Sequence, residues 1–245
     1  MTSLEISTAA GSVEAYRAGD AGPGVLLFID AIGLRPQIEA MADRMASWGY
    51  VVLAPNVFFR TGSAAALAPT VDLRVPGERE AFISTIGPRM QELTPELIHS
   101  DITDYLAALR GLSGVGSGPI GVTGYCMGSR LSMYAAGDHP DDVAAAAGFH
   151  GGRLVTEDAD SPHRALATAR AEFVFGHADN DASMTPEDVA ALGEALAAHG
   201  LTATNEIYPD APHGYTMADT SMYQAEGAER AFRELEALFA RTLRG

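Results

Sequence analysis

Lysine is absent from this chain and cysteine occurs once. A lone thiol excludes an internal disulfide framework, so the fold must rest on its apolar core. Cationic charge is scarce as well. Sixteen basic residues, all arginine, stand against 32 acidic ones, and the formal net charge of −16 repels nucleic acid, whose phosphates need clustered cations. Long apolar runs are also missing: a bilayer span needs ~18 such residues, whereas the clearest early run is "VLLFI", Val25 to Ile29. No membrane partner is expected. The first twenty residues, "MTSLEISTAAGSVEAYRAGD", lack the basic start and apolar stretch of a signal peptide, which predicts a cytoplasmic protein. No His, Cys and carboxylate cluster stands at metal-ligand spacing, so neither metal nor organic cofactor is expected.

What is present is enough for a large core: 245 residues, 47% of them hydrophobic, with no repeat, low-complexity tract or linker dividing them. A single domain over residues 1–245 is expected, as a monomer or small homo-oligomer. "LEIS" and "SVEAYRA", separated at Ala10-Gly11, read as an antiparallel hairpin. "VLLFID", "YVVLAP", "PIGVTG", "VAAAAGFH" and "AEFVFG" read as strands, and "TATNEIYP" as a late one. Between them lie helical patterns, among them "RPQIEAMADRMASWG", "TPELIHSDITDYLAALRGL" opened by Thr94 and Pro95, and a closing amphipathic "MYQAEGAERAFRELEALFARTL". Residues 56–88 read as a long loop with short helical pieces. Buried strands alternating with helices predict an α/β fold with a mostly parallel sheet covered on both faces, and ligands at the rim where the strands end.

The lone cysteine lies in "PIGVTGYCMGSR", with Gly124 and Gly128 two residues to either side. Gly-x-Cys-x-Gly between strand and helix matches the nucleophile elbow, with cysteine for the usual serine. The glycines are required sterically, because strand and helix must approach closely at a strained turn. The helix start favours a thiolate, and the Met127 N–H can face a developing oxyanion. Against this stands the ordinary role of a single cysteine as a small buried hydrophobe. An elbow nucleophile needs an acid and then a histidine later in the chain. His213, in "YPDAPHGY" after the last strand, has the right place; His99, His139, His163 and His199 lie in helices or polar connections, and His150 and His177 follow earlier strands. The acid should follow "AEFVFG", where "GHADNDASMTPED" offers Asp179 and Asp181, which spacing alone does not separate; Glu187 and Asp188 fit the first turn of the next helix.

Together "GYCMGS", "GYVVLAPNVFFR" and "PHGY" resemble the dienelactone hydrolase family of α/β-hydrolases over nearly the full length. The resemblance implies an α/β-hydrolase fold and a small ester or lactone as substrate. It also implies a catalytic set of Cys126, His213 and an aspartate, and "DASMTP" favours Asp181 over Asp179. It further implies that Asp30, ending "FID", pairs with the resting thiol until substrate displaces it, and that Ala31 N–H is the second oxyanion donor. One position departs. Members that cleave dienelactone carry an arginine four residues after the histidine to hold the substrate carboxylate, and here that residue is Met217. Arg35, Arg79 and Arg89 are the candidates to compensate, each set against a plain surface role. A general carboxylesterase, a thioesterase, a non-catalytic binder and a redox sensor are the alternatives; the last lacks a resolving cysteine.

Overall fold

A computed structural model describes residues 2–244. Its centre is an eight-stranded sheet in the order β1-β2-β4-β3-β5-β6-β7-β8. The strands are β1 (Thr2–Thr8), β2 (Gly11–Ala18), β3 (Gly24–Phe28), β4 (Val51–Pro55), β5 (Ile120–Tyr125), β6 (Val143–Phe149), β7 (Glu172–His177) and β8 (Ala203–Ile207). β1 and β2 form the antiparallel hairpin, turning at Ala9-Ala10, and β2 runs antiparallel to β4; all later pairings are parallel. Composition explains the order. β3, β4 and β5 are buried at every residue, as strands covered on both faces must be, whereas the edge strand β8 has no fully buried residue.

The long helices are α1 (Pro36–Ser47), α5 (Pro95–Gly111), α6 (Gly128–Asp138), α7 (Pro186–Ala198) and α8 (Ala225–Leu243). α1 and α8 share one face of the sheet, joined by Trp48 edge-on to Phe232 and by Arg44 to Glu229; α5 and α6 pack together on the other. Thr94 caps α5, and Thr185 with Asp188 forms a reciprocal capping box on α7, which gives Asp188 its helix-start role. The irregular connection expected over residues 56–88 runs on to residue 94, with three short helices: α2 (Ala64–Leu67), α3 (Glu78–Ile83) and α4 (Gly87–Glu92). A 3-10 turn at Pro162–Ala167 had no signal in the sequence pattern. Among the described residues no helix is long and apolar enough to cross a membrane.

Candidate active site

The rim beyond the parallel strands collects the loops after β3, β5, β6, β7 and β8. Cys126 follows β5 directly, with φ of 55°, in the left-handed region that an L-residue occupies only under strain. The glycine frame is what permits this turn. A Cβ on Gly124 would stand 1.9 Å from the Gly128 carbonyl oxygen, and one on Gly128 would stand 2.5 Å from that of Phe28. Buried Ser129 secures the turn from beneath, its hydroxyl donating to the carbonyls of Gly124 (3.0 Å) and Phe149 (3.2 Å).

His213 follows β8 and its Nε2 lies 3.1 Å from Cys126 Sγ, while Nδ1 lies 2.6 Å from Asp181 Oδ2. Asp181 Oδ1 accepts from the amide and hydroxyl of Ser183, at 2.8 and 2.7 Å, so both carboxylate oxygens are occupied. Burial opposes charge on the imidazole, yet the hydrogen bonds to Asp181 and Cys126 outweigh it and raise its pKa to about 10. Burial likewise opposes ionisation of Asp181, and His213 outweighs it, holding the carboxylate below its usual range. Asp179 has a different place: its carboxylate accepts from Asp210 N–H (3.0 Å) and its amide donates to Ala211 O (2.7 Å), joining the loops that carry Asp181 and His213. The amides of Ala31 and Met127 donate to no other group among the described residues. A thiol hydrogen-bonded to an oriented imidazole can pass its proton to that imidazole.

Asp30 is the main difference from expectation. Its carboxylate does not meet the thiol. Arg35 Nη1 and Nη2 grip the two oxygens at 2.6 and 3.0 Å, and the Ile32 and Gly33 amides donate to Oδ1 as well. Arg35 is no surface charge: it is buried, and it also bonds Asp219 and lies 3.4 Å from Met217 Sδ. A buried guanidinium in bidentate contact outcompetes a thiol for the carboxylate. That leaves Cys126 to His213.

The cavity at Cys126 is small, about 20 Å³, and its walls include Ile32, Arg79, Ile83, His150, His213 and Met217. Of the three arginines weighed for a substrate carboxylate, only Arg79 faces this space; Arg35 is engaged as above, and Arg89 is buried against main-chain carbonyls. His150, with φ of 39°, stands edge-on to His213 with ring centroids 5.3 Å apart and meets Thr216 Oγ1 at 2.7 Å. Burial, and then the His213 charge, hold its pKa well below the ordinary value, so it stays neutral. His177 is buried too but turns to Asn205 (2.7 Å). His99, His139 and His163 bond Asp138, Thr103 and Ser161, and His199 closes α7. The wall from α3 had no signal in the sequence beyond Arg79, since six residues without helical periodicity do not announce which face turns inward.

The family model for the dienelactone hydrolase family matches residues 12–243. The chain belongs to this family. A dienelactone hydrolase family member is a hydrolase acting on esters or lactones, and a small molecule is its substrate. Among curated relatives, a Methylorubrum extorquens protein named "Putative carboxymethylenebutenolidase" is 24% identical over 94% of this chain and 77% of its own length. An Escherichia coli protein of the same name is 25% identical over 87% and 74%. The crystal structure of a "Putative Dienelactone Hydrolase" from Klebsiella pneumoniae superposes with a TM-score of 0.77 at 23% identity, covering 98% of both chains, which shows the shared fold.

Proposed function

We propose that this dienelactone hydrolase family member cleaves small esters or lactones through an acyl-cysteine intermediate. The observation that supports it best is the unbroken hydrogen-bonded line Asp181, His213, Cys126 beside two unused amides. The sulfur of Cys126, its proton on His213, attacks the substrate carbonyl carbon; a C–S bond forms and the carbonyl electron pair moves onto oxygen, towards the Ala31 and Met127 amides. That pair returns as the C–O bond to the leaving group breaks, and His213 gives the departing oxygen its proton. Water then attacks the thioester, passing a proton to His213, and the acid leaves as the thiolate is restored. Asp181 keeps the imidazole in the tautomer and orientation that both halves need.

The walls speak for the substrate. Ile32, Ile83 and buried Met217 favour an uncharged, apolar acyl portion, and Arg79 is the side chain placed to meet a carboxylate. Arg79 and Ile83, both from α3, line this cavity, so α3 is the element through which the acyl portion would be selected. The Met217 departure favours, as a second reading, a general carboxylesterase with no carboxylate requirement. Quenching turnover of a slow aryl ester and mapping the adduct by mass spectrometry tests the mechanism: the acyl group is expected on Cys126, and an acyl-serine with Cys126 unmodified overturns it.

A further inference from the structure

The connection that covers the rim contributes a buried cation. Arg89, in α4, is 5% exposed, and its guanidinium reaches the loop after β3. Nη2 donates to the carbonyls of Ala31 (2.7 Å) and Ile32 (3.3 Å), and Nη1 to that of Leu67 (3.2 Å), while Nε has no partner. The rings of Phe58 and Phe82 flank it, their centroids 5.0 and 5.3 Å from the guanidinium carbon. Arg35, in the loop after β3, is held by two carboxylates, but among the described residues no carboxylate lies within ion-pair distance of Arg89. Burial accordingly lowers its pKa, with the Asp30 charge acting the other way. Keeping an unpaired charge in an apolar setting is costly, and an apolar side chain would fill the same space at less cost. What the guanidinium does touch is Ala31, whose amide has no other partner among the described residues.

We propose that Arg89 is a positioning residue for the oxyanion site: its Nη2 holds the carbonyls of Ala31 and Ile32 while Nη1 ties them to Leu67, which fixes the loop that carries the Ala31 N–H. The inference rests on the acyl-transfer reading above. Arg89 exchanges no proton and forms no covalent bond. Its effect is confined to steps in which carbonyl electrons move onto oxygen, and this separates it from a residue that merely supports the fold.

Two reactions of the same thiol make the test. Hydrolysis of p-nitrophenyl butyrate passes through an oxyanion; alkylation by iodoacetamide, in which sulfur displaces iodide from a saturated carbon, does not. For Arg89→Met, kcat for the ester is expected to fall about 100-fold, in the range for losing one oxyanion donor, with KM within about threefold. Alkylation of Cys126 is expected to stay within about twofold of wild type. Arg89→Lys, which keeps the charge but lacks the second nitrogen that reaches Leu67, should lie between, and it carries the test alone if Arg89→Met does not fold. Parallel loss of both reactions, or loss of neither, in a wild-type background that acylates Cys126 overturns the inference alone. A wild type that never acylates Cys126 overturns the mechanism and this inference with it.

Discussion

The elbow at Cys126 and the connection over residues 56–94 face each other across one small cavity, and they are built on opposite principles. At the elbow, main chain meets main chain: Gly124 and Gly128 have no room for a single carbon, and Ser129 bolts the turn to β6. In the connection, three short helices are held by scattered side-chain contacts such as Arg89 to Ala31 and Arg60 to Asp101. α3 has no fully buried residue. The thiol thus sits on the tightly packed side, and Arg79 and Ile83 face it from the loosely held one.

The largest break in this contrast comes from the chemical groups themselves. Asp181→Asn should lower kcat by about 10⁴, the scale seen when a histidine loses its orienting carboxylate. Asp179→Asn, which touches only the loop junction, should cost less than about tenfold. Steady-state kinetics on both variants decides which aspartate serves His213; a reversed order would move the role to Asp179.

Next in size is a pair of glycines. Gly128→Ala pushes a methyl group to 2.5 Å from a backbone oxygen and should destabilise the protein by about 3 kcal/mol. Gly77→Ala, before α3, has φ of 87° but nothing within 4 Å, so only backbone strain of about 1 kcal/mol is expected. Urea unfolding of the two variants measures the difference. Equal costs would mean that the elbow is as yielding as the cover.

Arg79→Gln sharpens the comparison on the side of the connection. The preference for a lactone bearing a carboxylate over its methyl ester should drop by about tenfold, a charge-assisted hydrogen bond being worth about 1.5–3 kcal/mol. Matched kcat/KM values check this, and an unchanged ratio removes Arg79 from substrate recognition.

A separate effect is on stability against pH. His213 binds its proton more tightly folded, at about 10, than at its ordinary 6.5. Its contribution is therefore complete below pH 6.5 and fades as pH rises towards 10. Between those values the melting temperature of wild type should fall more steeply than that of His213→Gln; parallel slopes would contradict the paired imidazole. Asp181, with its pKa lowered, works in the other direction, stabilising above the carboxylate range and failing in acid.

The rigid side was readable from the chain alone because its requirements are local. A five-residue frame around Cys126, and the order of acid and histidine after later strands, depend on neighbours in sequence, and the sheet follows from continuous apolar runs. Asp179 and Asp181 could not be told apart by spacing, since the answer depends on Asp210 and Ser183, which take one carboxylate each. Arg35 and Arg89 were illegible for a related reason. An arginine in a polar stretch reads as solvated, and only the partners Asp30 and Asp219, or the carbonyls at 31 and 32, reveal that it is buried.

Contact between backbones at the elbow also bears on how such a protein can change over generations. Because the place of the thiol is set by atoms that every sequence shares, side chains elsewhere in the core can be exchanged without shifting it. Only two positions, 124 and 128, are closed to variation by that contact. The cover has no such restriction. New substrates can be accommodated by redrawing α3 and its flanks while the same sulfur waits at the same point, a division between a fixed tool and an interchangeable guide.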